Sequence, residues 1–242
     1  MSRWVPDAPH AGEITVRQLL AHTSGLPDYA STPEILGHMS EPHTPATLLA
    51  VIADEPLAFP PGTDHAYSNS NYVVLGLVLQ AVAGSPWTEQ VQARVDALGL
   101  DALSTTGLAT VAGHVGGVDT TGGMDPSIPD AAGRMVGPAA DVARWGALLA
   151  AGRVLPADLV DAMAEPTPES LDEAEGYGLG LMVADLASGA PTLGHSGSVL
   201  GFQSRLRVRR SDALAVATLV NDLAAEADDV DAALWEALGD PL

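Results

Sequence analysis

At 242 residues, 47% hydrophobic and 17% charged, the chain has the size of one large globular domain or two small ones and is too apolar for disorder. Its formal net charge of −21 repels phosphate backbones and argues against a nucleic-acid partner, and no apolar run reaches the roughly 20 residues a membrane crossing needs. Cysteine is absent, so disulfide and thiolate chemistry are excluded, and all ten basic residues are arginine, with no lysine anywhere.

Taken in order, Thr15 is placed to cap a short helix carrying Val16, Leu19 and Leu20, which stops near Gly25 and Pro27. A second helix is predicted from Thr44, with Pro45 at its first position, to about Glu55. A third, over roughly Asn71 to Val82, is apolar almost all round and is expected to be buried. Ser85 and Pro86 open a fourth that runs to about Leu98. Residues 104–137, rich in glycine, threonine and serine, read as irregular. The spacing of Val142, Trp145, Leu148 and Leu149 predicts a helix from Pro138 to Gly152, and a shorter one follows over about 156–164. The acidic stretch Glu165–Glu175 reads as a solvated linker.

From Gly176 the character changes. GLGLMVADL, TLGHSG, FQSRLRVR and ALAVATLVN read as successive strands, with turns at Ser188-Gly189 and Ser211-Asp212. Links this short make neighbouring strands antiparallel. A closing helix over about 225–238 is expected to show Val230, Leu234 and Leu238 on one apolar face. The elements argue for a mixed α+β fold: a mainly helical part over 1–175, then antiparallel strands and a C-terminal helix over 176–242.

Three segments carry chemistry as a set: HTSGLPDY (His22–Tyr29), FPPGTDHAYSNSNYVVLGLVLQAVAG (Phe59–Gly84) and LGHSGSVLGF (Leu193–Phe202). In order, spacing and flanking text they resemble the serine β-lactamase-related family, which includes class C β-lactamases, D-alanyl-D-alanine carboxypeptidases and related esterases. The resemblance runs from about Arg3 to the final helix. It implies a β-lactamase/transpeptidase-like fold, a helical subdomain beside an antiparallel sheet with flanking helices, and hydrolysis of a β-lactam, peptide or ester through an acyl-serine. It also implies roles. Tyr67 would transfer protons, as phenolate or relay. Asn69 would hydrogen-bond a substrate amide. His195, where many members carry lysine, would supply a positive or donor group. Ser196 would grip a substrate carboxylate, Gly197 would leave room along the strand edge, and the Ser198 N–H would face the oxyanion. His22 and Ser24 read as structural.

The family's nucleophile is a serine followed one turn later by a lysine on the same helix face, where a desolvated amine can act as base. A lysine-free chain has no Ser-x-x-Lys. Ser204 and Arg207 have the spacing, but arginine stays protonated, and on a strand i and i+3 point to opposite faces. The expectation is a chain without the N-terminal strands and nucleophile helix, inactive as it stands and prone to aggregation through an unpaired sheet edge. A non-catalytic binding protein is the alternative reading. An α/β-hydrolase is disfavoured because Gly194-His195-Ser196-Gly197-Ser198 fails the G-x-S-x-G pattern and no histidine follows His195. No H-E-x-x-H appears, and no metal or cofactor is expected. A small-molecule or peptide substrate is expected, with no membrane segment and oligomeric state left open. Localisation is also open: MSRWVPDAPH has no apolar core of a secretion signal, and the resemblance suggests export of a full-length parent.

Overall fold

A computed structural model describes residues 1–242. Chain contacts divide it into two compact units, Met1–Arg94 with Gly122–Met135, and Val95–Thr121 with Val136–Leu242.

The first unit is helical. Thr15 caps α1 (Val16–Leu20) through a reciprocal pair of bonds with Gln18. Thr32 caps α2 (Pro33–Gly37), and Thr44 caps α3 (Pro45–Ala50), each with proline in the first turn. α4 (Asn69–Ala83) is the centre. Its Val73 and Val74 are fully buried against Leu19, Tyr29, Leu48 and Ile52. α5 (Trp87–Ala97) follows, and α6 (Asp130–Gly133) packs on α4 where Gly76 leaves no space for a larger residue between Ala131 and Trp87. α3 ends earlier than the sequence reading, in turns over 51–54, and α4 starts two residues sooner, at Asn69.

The second unit holds the sheet. A small ribbon, β1 (His114–Val115) with β2 (Val118–Asp119), interrupts the otherwise irregular 104–121 region. α7 (Ala139–Ala150) and α8 (Ala157–Met163) lie close to expectation. Five strands then form an antiparallel sheet in chain order: β3 (Gly176–Tyr177), β4 (Met182–Asp185), β5 (Pro191–Val199), β6 (Phe202–Arg209) and β7 (Leu214–Val220). α9 (Ala227–Ala237) closes the chain. α7 and α8 group with this unit because Leu149, Val160, Leu193 and Val208 form one core between helices and sheet.

β6 shows the period-two logic of a strand with two different neighbours. Leu206 and Val208 sit on the face against α7, close enough that Gly146 of that helix could not carry a side chain without meeting them. Arg205, Arg207 and Arg209 alternate onto the face against α9.

Three expectations are corrected here. GLGLMVADL is a strand only in its second half, β4, because the chain turns at 178–181 with Gly178 N donating to Leu181 O at 2.9 Å. The Glu165–Glu175 stretch is not uniformly solvated: Ser170 is buried and Glu175 pairs with both Arg205 and Arg207. On α9 the buried residues are Ala227, Asp231 and Trp235, while Val230, Leu234 and Leu238 are exposed. The inner face was hidden from a hydrophobicity pattern because it carries a carboxylate, Asp231, that pairs with Arg207 at 3.0 Å.

Candidate functional site

In the first unit the head of α4 and the loop after α1 are tied together. Ser68 occupies the cap position of α4, yet its side chain makes no capping bond. Asp28 replaces it from a distant loop: its Oδ1 accepts from Asn69 N at 3.2 Å and its Oδ2 from Asn69 Nδ2 at 2.9 Å. A carboxylate at a helix N-terminus also complements the helix dipole. The side-chain amide of Asn69 is therefore already engaged, and it faces Asp28.

His22 lies beneath this turn, fully buried, with φ of +54°, a left-handed conformation that a non-glycine residue adopts at a cost of order 1 kcal/mol. Ser68 N at 3.1 Å and Asn71 Nδ2 at 2.9 Å both donate to His22 Nδ1, so that nitrogen is bare and the proton sits on Nε2. Ser24 Oγ donates to Asn71 Oδ1 at 2.5 Å, and Tyr29 N donates to Ser70 Oγ at 3.1 Å. Gly25 permits the turn, with φ of +76° and no room for a Cβ beside the Phe59 carbonyl. The HTSGL residues are structural in this sense: they hold the Tyr67 segment.

Tyr67 stacks on the His22 ring, centroids 4.2 Å apart at 30°, with 43% of the residue exposed. Desolvation of its packed side, and then the charge of Asp28, raise its phenol above the ordinary range. Both effects disfavour the phenolate.

In the second unit, His195, Ser196, Gly197 and Ser198 follow one another on β5. Ser196 pairs in register with Arg205, and its Oγ lies 3.6 Å from Met182 Sδ. Gly197 and Ser198 are exposed, and a Cβ at Gly197 would stand 2.7 Å from Ser204 Oγ, so the close approach is to the neighbouring strand. His195 packs edge-on against Tyr177 of β3, whose hydroxyl lies 2.9 Å from Nε2, while Nδ1 reaches the carbonyl of Ser196. Burial, the largest influence, lowers the His195 pKa below its ordinary value, so of the positive or donor group that the resemblance implied, the neutral donor is favoured. No group of three or more His, Asp or Glu side chains is arranged to hold a metal ion.

The sequence reading thus named the residues at the head of α4 and on β5, and missed Asp28 and Tyr177. Asp28 stood inside HTSGLPDY, but its role depends on Asn69, 41 residues away in the chain. Tyr177 ends the short strand after the acidic stretch, and only the hairpin geometry brings it onto His195.

A helical unit, and an antiparallel sheet flanked by helices with His-Ser-Gly on a central strand, are the β-lactamase/transpeptidase-like fold. A model of the Beta-lactamase family matches residues 1–240, and the chain belongs to that family. It is 28% identical over 240 residues to penicillin-binding protein 4 of Amycolatopsis lactamdurans, covering 90% of this chain and 62% of that protein. Among solved structures, it is similar to a D-stereospecific amidohydrolase from Streptomyces sp., with TM-score 0.80 and 31% identity over 91% of this chain and 73% of the other. The D-amino acid amidase of Ochrobactrum anthropi SV3, in complex with D-phenylalanine, gives 0.77 and 26% over 91% and 75%. The chain spans less than two thirds of the length of the curated relatives it matches. No helix is long and apolar enough to cross a membrane.

Proposed function

We propose that the chain carries the substrate groove of an acyl-serine hydrolase acting on D-configured amides or peptides, and that these 242 residues do not form the acyl-serine by themselves. What carries this reading is the pair of segments Tyr67-Ser68-Asn69 at the head of a buried helix and His195-Ser196-Gly197 on a strand, within a family match that spans the chain. The D-stereospecific amidohydrolase and D-amino acid amidase among its structural relatives support an amide over a lactam. So does a buried, neutral His195 where many members carry a lysine charge.

In this reading Tyr67 passes protons as a neutral phenol, since desolvation and Asp28 oppose its ionisation. Ser196 and the Ser198 N–H bind the substrate's polar ends, and Asn69 reaches the substrate amide through whichever of its groups Asp28 leaves available. The nucleophile does not come from Ser-x-x-Lys within the chain, which has no lysine, and Ser204 and Arg207 stand on opposite faces of β6.

The test is the intact mass of the protein after a fluorophosphonate and, separately, a reporter penicillin. No adduct is expected on the 242-residue chain, with an adduct appearing once a family Ser-x-x-Lys segment is joined upstream. A stable adduct on the chain itself, mapped to one of its serines, overturns the incomplete-site reading. No adduct on the extended protein, with a D-alanyl peptide still bound, moves the chain to the non-catalytic binding proteins.

A further inference from the structure

We infer that Tyr177 is a positioning residue for the groove, holding His195 as the neutral Nδ1–H tautomer with its Nε2 lone pair taken by the Tyr177 hydroxyl. The inference rests on the reading above that His195 belongs to the substrate groove, but its geometry stands apart from any activity.

The assignment follows from which atoms can donate. A carbonyl oxygen only accepts, so Nδ1, in contact with the Ser196 carbonyl, carries a proton. In a neutral ring Nε2 is then bare, and the hydrogen bond at 2.9 Å is donated by the Tyr177 hydroxyl. His22 makes the opposite choice, since two N–H donors converge on its Nδ1. Two histidines of one chain are thus fixed in opposite tautomers by their neighbours.

Tyr177 is built to hold this position. It is buried, 3% exposed. Its backbone N donates to Ser170 Oγ at 2.8 Å, and its carbonyl accepts from Thr167 N at 2.9 Å. Ser170 is itself fully buried. The two-residue strand β3 therefore places a phenol at a fixed distance from a ring on β5, the strand beyond β4. The charged groups facing His195 are Arg205, which disfavours the imidazolium, and Glu175, which favours it, and they are paired with each other. With those charges opposed, burial leaves the ring neutral, the Ser196 carbonyl selects its tautomer, and Tyr177 takes the remaining Nε2 lone pair and fixes the ring's orientation.

The chemical consequence is directional. A proton arriving at Nε2 turns the Tyr177 oxygen from donor to acceptor, and no bond to carbon is made or broken. His195 enters the groove as an oriented neutral ring whose proton affinity is governed from the second strand away.

The test is long-range ¹H–¹⁵N spectra of the full chain with ¹⁵N-labelled histidine, the His195 signals assigned with His195→Gln. In the parent chain His195 is expected as Nδ1–H and His22 as Nε2–H. Tyr177→Phe keeps the buried ring and removes only the hydroxyl. It is expected to shift the His195 Nε2 resonance toward that of an unbonded acceptor nitrogen, leaving the Nδ1–H of His195 and both His22 signals unmoved. His195 found as Nε2–H in the parent, or an Nε2 resonance unchanged in Tyr177→Phe, overturns the inference. If the variant does not fold, the parent tautomer alone decides it. An adduct or its absence in the mass experiment bears on the hydrolase reading and leaves these signals untouched.

Discussion

Gly194 and Gly197 stand three residues apart on β5 and differ sharply in what surrounds them. A Cβ at Gly194 would overlap the Leu206 carbonyl oxygen, backbone that cannot move without parting β5 from β6. A Cβ at Gly197 would meet only Ser204 Oγ at 2.7 Å, the end of a side chain that can rotate away. Gly194→Ala is therefore expected to cost more than about 3 kcal/mol or to prevent folding, and Gly197→Ala about 1 kcal/mol or less. Urea denaturation of the two variants, side by side, checks the ordering; equal losses would mean that β5 has more freedom than the register allows. Asp28 belongs to the same scale, since one carboxylate caps a helix and biases the phenol of Tyr67.

Among the elements, α9 separates what hydrophobicity alone reveals from what it hides. Val230, Leu234 and Leu238 are exposed, whereas Trp235 is wholly buried with Leu186 and Val216. Trp235→Ala is expected to cost roughly 3 to 5 kcal/mol, and Val230→Ser or Leu234→Ser within about 0.5 kcal/mol. Thermal melts of the three distinguish the faces, and a large loss at Leu234 would reverse the assignment. The start of α1 and the turns at Ser188-Gly189 and Ser211-Asp212 were legible in sequence because their causes are local: a cap and tight-turn residues. The buried face of α9, the turn inside GLGLMVADL and the Asp28 cap were not. Each depends on a partner distant in the chain: Arg207, Met163, whose carbonyl accepts from Leu179 N, and Asn69. The candidate site followed the same division. Tyr67, Asn69 and the His195–Ser198 run were readable as text, and Tyr177 was not, because its contact is made across the sheet.

At the scale of the whole molecule, two partly buried groups contribute to acid stability in successive windows. Burial would raise the carboxyl of Glu175, but Arg205 and Arg207 outweigh it and hold it below the ordinary 4.5. A depressed carboxyl contributes stability above pH 4.5 that is lost as pH falls through its folded value. His195 is depressed below 6.5, so the unfolded chain takes up that proton first, and its contribution is complete above pH 6.5 and lost below. His10, raised by Glu13, acts in the opposite sense through an exposed pair of little worth. Relief of self-repulsion from a charge of −21 also opposes the trend on acidification. The denaturation midpoint is expected to be flat above pH 6.5 and to fall in two stages below it. Glu175→Gln should lose about 3 kcal/mol at pH 7 and show a smaller lower stage. A variant that keeps the full acid transition would place its origin elsewhere.

The alternation of β6 has a further consequence for how the sheet finds itself during folding. A strand that slips by one residue exchanges its two faces. Here that slip would press three guanidinium groups into the aliphatic layer under α7 and leave Asp231 and Glu175 without their cations. Leu206 and Val208 would meanwhile be turned toward carboxylates. The misaligned sheet is penalised from both sides at once, so β6 has one tolerable alignment, and the strands on either side inherit theirs from it.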